Sequence, residues 1–173
     1  MTGKDAAKIW TFALLIPFAA CRRGGESTGR QWDSTFAAMQ VRGQTVMGVN
    51  QYASAHVFED LGDGGRIILD AEKLTDTAGI VAIRQHMRGI ATAFRGGDFT
   101  GPFQVHAQVV PGTAVMTAHR TRITYEATDR PRGAEVRIRT ADSAAVVAIH
   151  AFLAYQRTAH HAAGHEAMPG GVH

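Results

Sequence analysis

Asp76-Thr-Ala-Gly-Ile-Val-Ala-Ile83 aligns without a gap on Asp142-Ser-Ala-Ala-Val-Val-Ala-Ile149. Each stretch opens on Asp, whose short carboxylate can accept from the free amides of a first helical turn. After Asp76, the residues Ile80, Ile83, Met87, Ile90 and Phe94 recur at steps of three and four. That spacing is one face of a helix, and Gly96-Gly97 stops it. After Asp142 the stripe is Val146, Ile149 and Leu153, and the helix is expected to run past Tyr155 to about His161.

A hairpin precedes each helix. Tyr52 to Leu61 is rich in β-formers, Gly62-Asp63-Gly64-Gly65 signals a turn, and Arg66-Ile67-Ile68-Leu69 returns. In the second half, Arg122 to Glu126 and Glu135 to Arg139 alternate apolar and polar around Asp129-Arg130-Pro131-Arg132-Gly133. Such alternation describes a half-buried hairpin, with Ile123, Tyr125, Val136 and Ile138 facing a core. Phe58-Glu59 lies over Tyr125-Glu126 in the alignment of the two halves. The expected fold class is therefore α+β: a duplicated ββα unit with a mainly antiparallel sheet and two helices packed on one face. Val41 to Val49 is expected to add an edge strand. Asp98 to Gly112, which holds Pro102 and Pro111, reads as loop with an extended piece around Phe103 to Val110, and Ala114 to His119 as a further strand.

The chain has 173 residues, 45% hydrophobic and 19% charged. That is one domain of ~100–200 residues with enough apolar surface for a core, and not a disordered tail. A net charge of +3, with no aromatic–basic stripe, excludes a nucleic-acid partner. Lys4 and Lys8 precede an apolar run from Ile9 to Ala20, shorter than a membrane span. Residues 1–20 are expected to be a signal peptide. Phe18-Ala-Ala-Cys21 looks like a lipobox, with Cys21 as the lipidated mature N-terminus, although Leu is usual where Phe18 stands. The expected location is periplasmic, or anchored to the membrane by that lipid. Residues 22–40 read as a flexible tether, 41–162 as the domain and 163–173 as a flexible histidine-containing tail. A homodimer is an open option.

Cys21 is the sole cysteine. A disulfide framework and a thiolate metal site in the body are thus excluded. Absent too are a Gly-x-Ser-x-Gly elbow, a phosphate-binding glycine loop, a His-Glu-x-x-His pair and a Cys-x-x-Cys-His haem attachment. Enzymatic activity has little support.

Nine histidines are the one chemical signal. His86 and His150 sit beside the apolar stripes of their helices, His106 on the segment leaving the first helix, and His160 near the end of the second. Neutral imidazole is the commonest metal ligand, and converging imidazoles suit copper, zinc or haem iron. Met87, Met116 and Met168 lie next to His86, His119 and His165, and thioethers favour copper. The expected metal ligands are His86, His106, His150 and His160, binding copper or, in the apolar surroundings of Phe94, Phe103, Phe152 and Tyr155, haem. The ordinary role of each such histidine is a core-boundary residue bonded to a carbonyl. The rival reading is an envelope binding or scaffold module without metal, using an Arg-rich sheet face that includes Arg137 and Arg139, or a groove between the repeats.

Gln85-His86-Met87-Arg88-Gly89-Ile90-Ala91 through Phe94, Gly97-Asp98-Phe99, Val105-His106-Ala107, Val110-Pro111-Gly112 and Ala148-Ile149-His150-Ala151-Phe152-Leu153 carry a resemblance. In these motifs the chain resembles a family of uncharacterised exported bacterial (lipo)proteins, over roughly His56 to His165. The resemblance implies a lipoprotein-like leader and favours His86, His106, His150 and His160 over His173. It implies no activity.

Overall fold

The structure, a computed structural model, describes residues 25–164. In chain order the elements are α1 (Gly25–Met47), β1 (Ser54–Leu61), β2 (Gly64–Ala71), α2 (Thr77–Arg95), α3 (Thr100–His106) and α4 (Thr113–Ala118). Then come β3 (Ile123–Arg130), β4 (Gly133–Thr140), α5 (Ser143–His160) and β5 (Ala163–Gly164). The fold is α+β. The strand order is β3-β4-β2-β1-β5, antiparallel except for the short parallel β1–β5 pair.

Each long helix starts where its Asp caps it. Asp76 accepts from the Gly79 amide at 2.9 Å. Asp142 accepts from Ala144 and Ala145 at 3.0 and 3.3 Å. The buried stripe of α2 is Ile80, Ile83, Met87, Ala91 and Phe94, and α2 packs mainly on β3 and β4. The buried stripe of α5 includes Ile149, Phe152 and Leu153, and α5 packs mainly on β1 and β2. Gly65 on β2 lets α5 approach, because a Cβ there would run into Leu153. The two stripes meet Phe58, Ile67, Leu69, Val136 and Ile138 in one core.

Three expectations are corrected. Residues 25–47, read as a tether leading into an edge strand, form the helix α1. Its buried positions, Met39 and Gly43, are four apart, the helical and not the strand period. Residues 100–106 are helical, not extended: Pro102 falls in the first turn of α3, where a missing N–H is tolerated. Residues 113–118 are the helix α4, not a strand. It begins at Gly112, whose φ of 83° and close approach to the Ala148 carbonyl admit only glycine. The proposed signal peptide, Cys21, His165, Met168 and His173 lie outside the described residues.

Candidate functional site

His56 is placed by strand register. It pairs with Leu69 and shares the core face with Phe58, two residues on. His160 is the last residue of α5, and it reaches His56 because Arg157, one turn earlier, is clamped to β1. Arg157 donates to both carboxylate oxygens of Asp60, at 2.9 and 2.8 Å, and to the Phe58 carbonyl at 2.9 Å. Past His160 the chain turns through His161, at φ 49°, and β5 pairs alongside Val57 and Phe58. Strand and helix end are thus joined on two sides.

The result is a cluster of rings. The His56 and His160 centroids are 4.9 Å apart, and those of His106 and His160 are 5.1 Å apart. His86 joins them from α2 at the edge of the stripe of Ile83 and Met87. All four line one cavity of about 80 Å³. The rest of its wall is mostly apolar: Met47, Phe58, Ile67, Leu69, Met87, Ile90, Phe94, Val105 and Phe152 among others, with Gln156 as a polar member. His106 Nε2 lies 2.9 Å from Gln156 Oε1. The amide oxygen only accepts, so Nε2 carries the proton and the Nδ1 lone pair is free.

Burial in this wall disfavours imidazolium. It pushes His56 and His86 down to about 4, with the neighbouring His86 adding to the effect at His56. His160 goes lower still, to about 2, through burial and then the nearby His56 and His106. Burial also lowers His106, against its bond to Gln156 and with help from Arg42. At neutral pH all four are neutral imidazoles with lone pairs to offer. Among the described residues, no three His, Cys, Asp or Glu side chains are arranged to hold a metal ion as they stand.

Of the histidines expected from sequence, the structure brings His86, His106 and His160 together and leaves out His150. The His150 Nε2 donates to the carbonyls of Leu61 and Gly64, at 3.0 and 2.9 Å, tying α5 to the β1–β2 turn. Sequence reasoning missed His56. The available signal was its alternation with Phe58 on one strand face, and nothing in the order of residues brings that strand to the end of α5. His119 is elsewhere: its Nδ1 lies 2.8 Å from Asp142 Oδ2. Arg122 first and His119 second hold that carboxyl far below the usual carboxylate range.

The arginines of the outer sheet face are paired. Arg66 meets Glu59, Arg130 meets Asp70 and Glu135, Arg137 meets Asp63, and Arg139 meets Glu126. No known family, no curated protein and no solved structure matches this chain.

Proposed function

We propose that this protein binds one copper(I) ion in the histidine-lined cavity, through His56, His160 and His106, with His86 and the thioethers of Met47 and Met87 in the same wall. The observation that carries the proposal is the spacing of the three rings, 4.9 and 5.1 Å between centroids. Two imidazoles on one tetrahedral metal, with metal–nitrogen distances of about 2.0–2.1 Å, have centroids roughly 5 Å apart. Their nitrogens still have to turn toward a common point, and rotating a ring away from its preferred torsion costs on the order of 1 kcal/mol.

Charge and softness select the ion. Among the described residues, the cavity offers neutral imidazoles and thioethers and no carboxylate. A divalent ion would keep its full charge in an apolar wall, and the desolvation penalty grows with the square of the charge. A monovalent, soft ion suits these ligands better. Haem has less support. Cavities for drug-sized ligands run roughly 300–1,000 Å³, against about 80 Å³ here, so a porphyrin would have to displace the core. A partner-binding sheet face has less support too, because its arginines already hold acids of the same face. The role is binding rather than catalysis.

Copper(I) titration under anaerobic conditions, in competition with a chromophoric chelator, tests the proposal. One equivalent should bind, with affinity falling at least tenfold in H56A and H160A and unchanged in H150A. A protein that takes up no copper(I), or loses it in H150A and not in H160A, refutes the reading.

We further infer that the domain is a duplicated ββα unit with both long helices on one sheet face. After exchange of the two hairpins the strand order β3-β4-β2-β1 becomes the same order read from the opposite end, and each long helix packs mainly on the other unit's hairpin. Arg84 and His150, adjacent to the aligned Ile83 and Ile149, support it. Arg84 donates to the Arg130 and Gly133 carbonyls flanking the β3–β4 turn, as His150 does to those flanking the β1–β2 turn. Export with lipidation at Cys21 is the matching cellular proposal. Metabolic labelling with a radioactive fatty acid should mark the wild type and not C21A. No helix among the described residues is long and apolar enough to cross a membrane.

A further inference from the structure

A second cleft, of about 290 Å³, lies on the other side of His106, between α1 and the C-terminal half of α5. We propose that it binds a small organic monocarboxylate with a flat apolar body. The proposal does not rest on the copper reading.

Arg42 is the anchor. Its Nε donates to the Val105 carbonyl at 2.8 Å, which fixes the plane of the guanidinium. Among the described residues it has no acidic partner, and its two terminal nitrogens make no hydrogen bond. It lines the cleft, and among the described residues no Asp or Glu lines the cleft with it. A half-buried guanidinium held by one nitrogen, with two donors left side by side, matches the two oxygens of a carboxylate. Arg elsewhere in the molecule illustrates the contrast: Arg157 spends the same fork on Asp60.

The rest of the wall fits the body of such a ligand. Phe36 stacks flat on His161, with centroids 4.4 Å apart and planes 5° from parallel. Met39 adds an apolar surface beside them. Tyr155 accepts at its hydroxyl from Gln108 Nε2, which leaves the phenol proton to donate to a ligand oxygen. The volume lies just below the range of small-molecule pockets, roughly 300–1,000 Å³, and so selects a compact ligand. His106 forms part of the wall of both cavities.

Benzoate is the probe, with benzamide as its neutral counterpart of the same shape. The purified full chain is titrated with each and followed by NMR of the backbone amides and the histidine ring protons. Benzoate should give saturable shifts at Arg42, Tyr155 and His161, and benzamide should bind at least tenfold more weakly, as expected for loss of a charge-assisted bidentate pair. R42M, checked for native amide dispersion, should lose binding, and R42K, which keeps the charge but not the fork, should weaken it. The proposal is overturned if no saturable shift appears at the cleft, or if benzamide binds as well as benzoate. It is equally overturned if R42M or R42K binds as the wild type does, or if inorganic phosphate competes with benzoate at equal concentration.

Discussion

Tyr125 is the third residue of β3, and His56 is the third residue of β1. Both face the core, and the surroundings differ. Tyr125 is 2% exposed and meets Phe94 edge-on at 5.9 Å, with Phe99 and Phe152 stacked and edged on the same Phe94. Aromatic rings fill that end of the sheet. At the β1 end, rings of similar size are histidines, and they surround a cavity. A filled core gains dispersion and hydrophobic free energy, whereas a ring of buried imidazoles gains little and gives up protonation. The fold tolerates the second arrangement because the end of α5 is held by Arg157 on Asp60 and by β5, not by the packing of the rings themselves.

The largest effect that could break this comparison is truncation of Phe94, the ring that packs on Tyr125 and also forms part of the cavity wall. Phe94→Ala should destabilise by about 3–5 kcal/mol, as large core deletions do. His160→Ala should destabilise by less than about 1 kcal/mol, since it enlarges a space that already exists and removes no hydrogen bond among the described residues. Equal losses in chemical denaturation would show that the histidine end is packed as core. Arg157→Ala should lie between them, at about 2 kcal/mol, because it strands the partly buried Asp60 carboxylate and frees the end of α5.

Acid sharpens the comparison next. His56 and His86 fall from 6.5 to about 4 on folding, so the unfolded chain binds more protons between those values. Stability from these groups is fully present above pH 6.5 and is lost as pH falls toward 4. Denaturation midpoints should drop across that window, and the slope should flatten in H56F. A slope unchanged by H56F would mean that His56 is not buried as described.

Smaller effects follow. Asp76→Ala should cost about 1 kcal/mol through the lost N-cap of α2. Tyr125→Phe should be neutral or stabilising by up to about 1 kcal/mol, because the buried Tyr125 hydroxyl has no hydrogen-bond partner among the described residues. A clear loss in Y125F would reveal a partner, such as a buried water, at the filled end.

The α2 helix, both hairpins and both Asp caps were legible because their signals are local. A three-and-four stripe, a glycine turn or a capping carboxylate acts within a few residues. α1 was not legible: its composition is polar and holds Gly29 and Gly43, and it is stabilised by packing against α3. α3 and α4 were hidden behind Pro102 and Pro111, which read as breakers although the first falls in a helical first turn and the second just ahead of Gly112. The alignment of the hairpins slipped. Strand ends match His56, not Phe58, with Tyr125, a shift of two that keeps every residue on its face and so leaves no trace in the pattern. The same limit applies to the histidines. His86 and His150 both sit beside apolar stripes, and periodicity does not distinguish a side chain that reaches a cavity from one that reaches two carbonyls.

By itself the sequence determined where the long helices start, where the hairpins turn and which residues face a core, since each depends on short-range backbone and burial preferences. Only the tertiary structure decided which histidines meet. The end of α5 lies beside β1 through the Arg157–Asp60 pair and β5, contacts between residues about a hundred positions apart in the chain. Such proximity is set by the closing of the whole fold, and no local preference encodes it.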